Sequence, residues 1–277
     1  MSLERTVGML RETTAQVVLE QDSRDTRASE APSSSSYIRD FNRYEFKYLV
    51  GFRERERLLE TIGPFIRRDT NADSGGVYKI SSLYYDSPGL DSFWEKIDGV
   101  KFRRKFRTRV YRSTPDTAYL EIKQRIDKTV QKRRVKMPLD EAELLLQDLS
   151  SSGLAQRWPM DPVVHEIAYL FKTKHSEPKA VVSYHREAFF AIRESDLRIT
   201  FDSRLKYRCG NLSLREPFAE EGRYFCHPEQ IVIEVKFNNR IPLWLCRAIQ
   251  HLGLQSQRVS KYCLAVNAGY LHKEFKL

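Results

Sequence analysis

The chain of 277 residues carries 47 Lys and Arg against 37 Asp and Glu, giving a formal net charge of +10 and a pI near 9.4. The first forty residues hold a net −2, so the rest carries +12, and this excess points to a polyanionic partner. No uncharged apolar run reaches the ~18 residues of a membrane helix. The N-terminus lacks a secretory core, and the four cysteines form no C-x-x-C pair. A soluble, basic, cytoplasmic protein with reduced thiols is the expectation, with no direct membrane insertion.

Residues 1–36 end in Pro32 and a run of four serines, and read as a flexible N-terminal arm with a short helix around 7–19. Residues 37–277 form the folded domain. Strand-like alternation predicts eight strands, over 43–50, 77–85, 101–112, 117–126, 129–138, 180–192, 197–204 and 230–238. Helical spacing predicts helices over 53–66, 139–149, 162–174, 242–252 and 257–271. The class is α+β, strand-dominated, with helices packed outside a curved sheet.

What alternates within the strands is the informative feature. One face of 101–111 carries Lys101, Arg103, Lys105, Arg107 and Arg109. Glu121, Lys123 and Arg125 share a face, as do Lys132, Arg134 and Lys136, Glu234 and Lys236, Arg198 and Asp202, and Glu45 and Lys47. An ordinary sheet with one wet face would mix signs and include Ser, Thr and Gln. Here the polar face is mostly Lys and Arg, and like charges opposite one another in a sheet repel. So dense a set needs a counter-charge that the chain does not supply. The alternative is an eight-stranded antiparallel β-barrel with a basic polar interior, wide enough for side chains and a narrow anionic ligand. Carboxylates facing that lumen suit Mg²⁺ or Mn²⁺ bridging phosphate oxygens, or ion pairs with neighbouring bases. Arg104 and Arg133 fall on the opposite parity and read as outer salt-bridge partners. A nucleic-acid binder would interleave exposed aromatics with its bases, whereas Phe102 and Phe106 alternate away from the basic row, so no nucleic-acid partner is expected.

Several segments carry a resemblance: Arg43-Tyr44-Glu45-Phe46-Lys47-Tyr48, Ser82-Leu83-Tyr84-Tyr85-Asp86, Lys105-Phe106-Arg107-Thr108-Arg109 and Leu120-Glu121-Ile122-Lys123. Val130-Gln131-Lys132-Arg133-Arg134, Tyr184-His185-Arg186-Glu187, Leu197-Arg198-Ile199-Thr200, Ile233-Glu234-Val235-Lys236 and Val259-Ser260-Lys261-Tyr262 follow. In order and spacing the chain resembles the VTC (vacuolar transporter chaperone) domain polyphosphate polymerases, from about residue 41 to 269. These belong to the triphosphate tunnel metalloenzymes, with the CYTH-type triphosphatases. The resemblance implies a triphosphate tunnel that moves the γ-phosphate of ATP onto a growing inorganic polyphosphate chain. Matched motif by motif, it puts Lys47, Arg107, Arg109, Lys123, Arg186, Arg198 and Lys261 at phosphate-contacting positions. It makes Lys132 and Arg134 the basic K-x-R pair, Glu234 the metal-coordinating glutamate, and Arg258 the counterpart of a second C-terminal lysine. Lys105 and Lys236 share the inner parity and complete the expected substrate-binding set. Mn²⁺ or Mg²⁺ is the implied cofactor, and any membrane link would run through a partner protein.

One departure bears on the reaction. The triphosphatase branch opens with E-x-E-x-K, whereas this chain has Arg43-x-Glu45-x-Lys47. Replacing the first carboxylate removes a metal ligand and a water-orienting group, which favours transfer over hydrolysis. A metal-dependent triphosphatase and a non-catalytic polyphosphate or inositol-polyphosphate binding module are the alternatives.

Overall fold

The computed structural model describes residues 44–70, 76–127, 129–150, 161–215, 221–238 and 240–272. The expected N-terminal arm, its short helix and Arg43 lie outside the described residues. The strands are β1 (Tyr44–Val50), β2 (Ile66–Arg68), β3 (Val77–Asp86), β4 (Phe102–Tyr111), β5 (Thr114–Ile126), β6 (Thr129–Pro138), β7 (Glu177–Ala191), β8 (Arg198–Arg208), β9 (Arg223–Tyr224) and β10 (Ile231–Phe237). The helices are α1 (Phe52–Ile62), α2 (Asp91–Ile97), α3 (Leu139–Ser150), α4 (Pro162–Lys174), α5 (Leu243–His251) and α6 (Lys261–Val266).

The eight long strands pair antiparallel in the order β1-β10-β8-β7-β3-β4-β5-β6, with β2 added to β7 and β9 to β8. Strands β1 and β6 end this order, so the tunnel is a strongly curled sheet rather than one closed by hydrogen bonds. The curl is visible in one contact. Lys123 on β5 reaches Glu45 on β1, Nζ to Oε2 3.4 Å, across six strand-to-strand steps. A flat sheet would hold those strands roughly 29 Å apart.

Alternation sorts the side chains as the sequence leads one to expect. Outward-facing Phe106, Val110, Leu120 and Ile122 meet Leu145, Ile167 and Phe171 of α3 and α4 in one core. Tyr48, Phe201, Ile233 and Val235 meet Leu58, Ile62 and Leu245 of α1 and α5 in a second. Each buried Val, Leu, Ile or Phe among them contributes about 1.5–3 kcal/mol by leaving water. A third core lies on the other face. Ile80, Tyr84, Val182 and Tyr184 alternate with the outward residues and pack against Phe93 of α2 and Tyr262, Cys263 and Val266 of α6. Four helices therefore cover the outside, while α6 with α2 beside it fills part of the concave side.

Local chemistry explains where the expected elements shift. The helix expected over 53–66 stops at Ile62 because Gly63-Pro64 turns the chain through a 3₁₀ turn into β2. The closing helix starts only at Lys261, where the Ser260 hydroxyl accepts from the Cys263 N–H at 3.4 Å. Helix α2 had no sequence signal of the usual kind. Its first N–H, of Asp91, is accepted by the Ser87 hydroxyl at 3.0 Å, and the next two by Asp86, from Ser92 N at 2.8 Å and Phe93 N at 3.1 Å. The same buried carboxylate accepts from the Tyr262 hydroxyl of α6 and from Ser87 N.

Asp86 thus ties β3, α2 and α6 together from a position 1 % exposed. Asp86→Ala is expected to lower unfolding stability by about 3 kcal/mol, because several buried donors lose a charged acceptor at once. Urea titration reads this as a lower midpoint at unchanged slope; a loss under about 1 kcal/mol contradicts it.

Candidate functional site

The strand register brings like charges face to face. Lys105 on β4 sits opposite Lys123 on β5, and Lys123 sits opposite Lys132 on β6. Arg103 faces Arg125 in the next inward row. Such pairs destabilise a sheet, and the curl turns them toward a common interior.

Deeper in, the cations acquire carboxylate partners. Glu234 lies at the centre of one group. Its Oε2 accepts from Lys236 Nζ at 2.7 Å and from Arg186 at 3.1 Å, and its Oε1 from Lys261 Nζ at 2.9 Å. Lys47 Nζ is 3.6 Å from the same Oε1 and 3.1 Å from Glu45. Arg186 also makes a two-pronged contact with Asp202 at 2.6 and 2.7 Å, and Lys261 reaches Asp202 at 2.5 Å. Bidentate Arg–carboxylate geometry is strong and directional, so Arg186 is fixed.

A second group forms around Glu121. Arg107 donates from Nε at 2.8 Å and lies 2.7 Å away through Nη2, while Lys132 reaches the other oxygen at 2.5 Å. Two tyrosines orient the guanidinium groups: Arg107 donates to the Tyr84 hydroxyl at 2.8 Å, and Arg109 to Tyr184 at 3.2 Å and to Ser82 at 3.2 Å. The sequence pattern assigns no site role to Ser82, Tyr84 or Tyr184. The available signal was their alternation with outward-facing Leu83, Tyr85 and Val181.

The chain therefore supplies more counter-charge than expected: Glu45, Glu121, Asp202 and Glu234 all sit in ion pairs. Bases still outnumber them. Burial would raise each carboxylate, yet the surrounding cations outweigh it and hold all four below the ordinary range. Burial pushes Lys236 down to about 8 against the pull of Glu234 and Glu45. Partial burial, with repulsion from Arg107 and Arg109, also lowers Lys132, which stays 44 % exposed and paired with Glu121. Lys105 is also lowered, first by burial; it lies 3.5 Å from Cys263 Sγ and over the Tyr262 ring.

Not every expected residue joins these groups. Arg198 turns to Asp69 at 3.1 Å and covers the Phe190 ring. Arg134 is exposed over the Tyr119 ring, and Arg258 is exposed, adding to the repulsion felt by Lys96 and Arg103. Lys123 is half exposed at the rim, paired with Glu45. Arg104 and Arg133 lie outside, on Glu166 at 3.6 and 2.6 Å.

Among the described residues no three His, Cys, Asp or Glu side chains cluster as a metal cage. Glu234 and Glu45, which share Lys47, offer hard oxygen donors on the same wall. Such a pair fits Mg²⁺ or Mn²⁺ arriving with phosphate oxygens and water, the usual way Mg²⁺ is held.

A curled antiparallel sheet whose concave side gathers Lys and Arg around a few carboxylates defines a triphosphate tunnel fold. A profile of the VTC domain matches residues 42–270, so the chain belongs to the VTC domain family. No curated protein matches the chain. Among solved structures, a putative adenylyl cyclase from Hippeastrum, HpAC1, described as having a dominant triphosphatase activity, is 12% identical with a TM-score of 0.50, covering 83% of this chain and 97% of that one. A putative adenylate cyclase from Bacillus halodurans is 12% identical (TM-score 0.46; 80% and 94% covered). The PH1819 protein of Pyrococcus horikoshii is 16% identical (TM-score 0.41; 82% and 99%). At these identities the likeness to solved structures is one of fold. No helix among the described residues is long and apolar enough to cross a membrane.

Two outcomes follow from the charge surplus. Lys105→Met removes one member of the lysine row at similar length, so the free protein is expected to unfold at equal or higher urea concentration. Its affinity for tripolyphosphate is expected to drop about tenfold by calorimetry; lower stability with unchanged affinity contradicts this. The second outcome concerns protons. A bound polyanion restores the charge of Lys236, lowered to about 8, so binding around pH 8 to 9 takes up protons and weakens as pH rises. Calorimetry in two buffers of different ionisation enthalpy measures that uptake; none, or release, contradicts it.

Proposed function

We propose that the chain is a polyphosphate polymerase, transferring the γ-phosphate of ATP to the end of a growing inorganic polyphosphate chain. The observation that supports this most is the state of the inner carboxylates. Glu45, Glu121, Asp202 and Glu234 are ion-paired and held below the usual carboxylate range. A general base works best with a pKa near the operating pH, so none is suited to activating water. A terminal phosphate needs no such help, being ionised at neutral pH.

In this reading an oxygen of the acceptor's terminal phosphate forms a bond to the γ-phosphorus. The bond from that phosphorus to the β–γ bridging oxygen breaks, and ADP leaves with the electron pair. Phosphoryl transfer of this kind is driven by alignment and by neutralising the oxygens. Arg107 and Arg109, set by Tyr84, Tyr184 and Ser82, clamp one side of the phosphate chain. Arg186 and Lys261, set by Asp202, with Lys47 and Lys236, clamp the other. Lys105, Lys123, Lys132 and Arg134 draw in the chain at the mouth, and Arg198 and Arg258 lie farther from this centre. Mn²⁺ or Mg²⁺, held by Glu234 with Glu45, would neutralise charge between neighbouring phosphates.

A metal-dependent triphosphatase is the second reading, favoured by the activity named for the Hippeastrum protein and opposed by Arg43 at the first position of the E-x-E-x-K pattern. Incubation with ATP and Mn²⁺ or Mg²⁺, with products separated by gel and by anion exchange, decides between them. ADP with long-chain polymer is expected. ADP with orthophosphate and no polymer makes the protein a triphosphatase, and polymer binding without ADP makes it a receptor. Glu234→Gln is expected to lower turnover about a hundredfold or more, while metal-free tripolyphosphate affinity holds or rises because a competing carboxylate is gone.

A further inference from the structure

The inward rows of bases continue past the tunnel mouth. Along β4 and β5 they follow one another at two-residue steps: Arg107 with Glu121, then Lys105 with Lys123, then Arg103 with Arg125. The last row lies about 13 Å along β4 from Arg107. A three-phosphate chain seated on Arg107 and Arg109 does not span that distance, so a short substrate leaves this row free.

Two further elements bring bases to the same place. Lys96 stands in the last turn of α2, which leads into β4 through residues 98–101. Arg258 is held against β1 by its neighbours: Gln257 N donates to the Lys47 carbonyl at 2.8 Å, and Lys47 Nζ donates to the Val259 carbonyl at 3.1 Å. The four bases feel one another. Burial first holds Lys96 down to about 8, and repulsion from Arg103, Lys105 and Arg258 adds to it. Arg103 is lowered by burial, then by Arg125 and Arg258.

Carboxylates do not answer this group. Among the described residues none of Lys96, Arg103, Arg125 and Arg258 forms an ion pair, and Glu95, next to Lys96 in the chain, is taken by Lys174 at 2.6 Å. Arg103 donates to the Val100 carbonyl at 2.5 Å and Arg125 to the Asp127 carbonyl at 2.7 Å. Most of the five N–H donors of each guanidinium stay unused. The deeper cations, by contrast, have Glu121, Asp202 and Glu234.

The geometry points to a second anion site, formed by Lys96, Arg103, Arg125 and Arg258 outside the tunnel mouth, that holds the outer stretch of a polyphosphate chain whose end lies inside. Repeated oxyanions along one chain match bases set along two strands and their flanks, and each guanidinium can grip phosphate oxygens in pairs. The inference rests on the tunnel taking polyphosphate, whether the chain is lengthened there or cleaved.

Calorimetry on the full chain in metal-free buffer compares tripolyphosphate with a size-fractionated polyphosphate several times its length. Arg103→Gln/Arg125→Gln and, separately, Lys96→Gln are set against Arg53→Gln/Lys172→Gln, which removes charge from exposed positions on α1 and α4. Long-chain affinity is expected to fall about tenfold in the paired mouth variant and less in Lys96→Gln, with tripolyphosphate affinity within about twofold of the unaltered protein. An equal fall for both ligands, no fall for the long chain, or the same fall in the α1 and α4 control overturns the proposal. So does displacement of the long chain by single-stranded DNA at equal phosphate concentration. If the unaltered protein binds neither ligand, the polyphosphate reading of the tunnel fails, and the outer site fails with it.

Discussion

Three lysines on adjacent strands, Lys105, Lys123 and Lys132, stand directly opposite one another because the β4–β5–β6 register puts them there. The apolar residues between them, Phe106, Leu120 and Ile122, are locked into the outer core. Slipping any strand by one residue would relieve the repulsion, but it would also turn that core toward the wet face. Hydrophobic burial at about 1.5–3 kcal/mol per side chain outweighs cross-strand repulsion of about 1 kcal/mol or less per pair. The fold therefore holds the charges together; Glu45 and Glu121 answer Lys123 and Lys132, and bases remain in excess around them.

The rest of the tunnel depends on the same imbalance. Inner carboxylates keep the deeper cations in place, as Asp202 does for Arg186 and Glu121 for Arg107. Removing one partner of such a buried pair is costly because a charge is left uncompensated, so the cations are held in fixed directions before substrate arrives. Preorganised charge of this kind suits the phosphoryl transfer proposed for the chain, since no reorganisation is needed at the moment of reaction. It leaves Lys236 with reduced proton affinity, so a polyanion entering the tunnel would draw a proton onto it.

Most of this was legible because a strand's period of two converts sequence directly into faces. The alternation at 101–111 and 230–238 was enough to separate Phe106 from Arg107 and Val235 from Glu234. What could not be read were contacts between residues far apart in the chain. The Arg107–Tyr84 and Arg109–Tyr184 hydrogen bonds join different strands, and Arg198 shares the inner parity yet pairs with Asp69 on a segment whose path no pattern gives. Helix α2 escaped for a similar reason, since its N-terminal partners are Asp86 and Ser87 rather than a residue at the N-cap position. Parity also overstated the charge deficit, because it gives faces but not which carboxylates reach which cations.

The most direct test of the convergent cationic interior is a crystal structure of the chain with tripolyphosphate and Mn²⁺. The account predicts phosphate oxygens within hydrogen-bonding distance of Arg107, Arg109, Arg186 and Lys261 together. A phosphate chain bound only to the outer surface, with those four side chains still occupied solely by Glu121, Asp202 and Glu234, would contradict it.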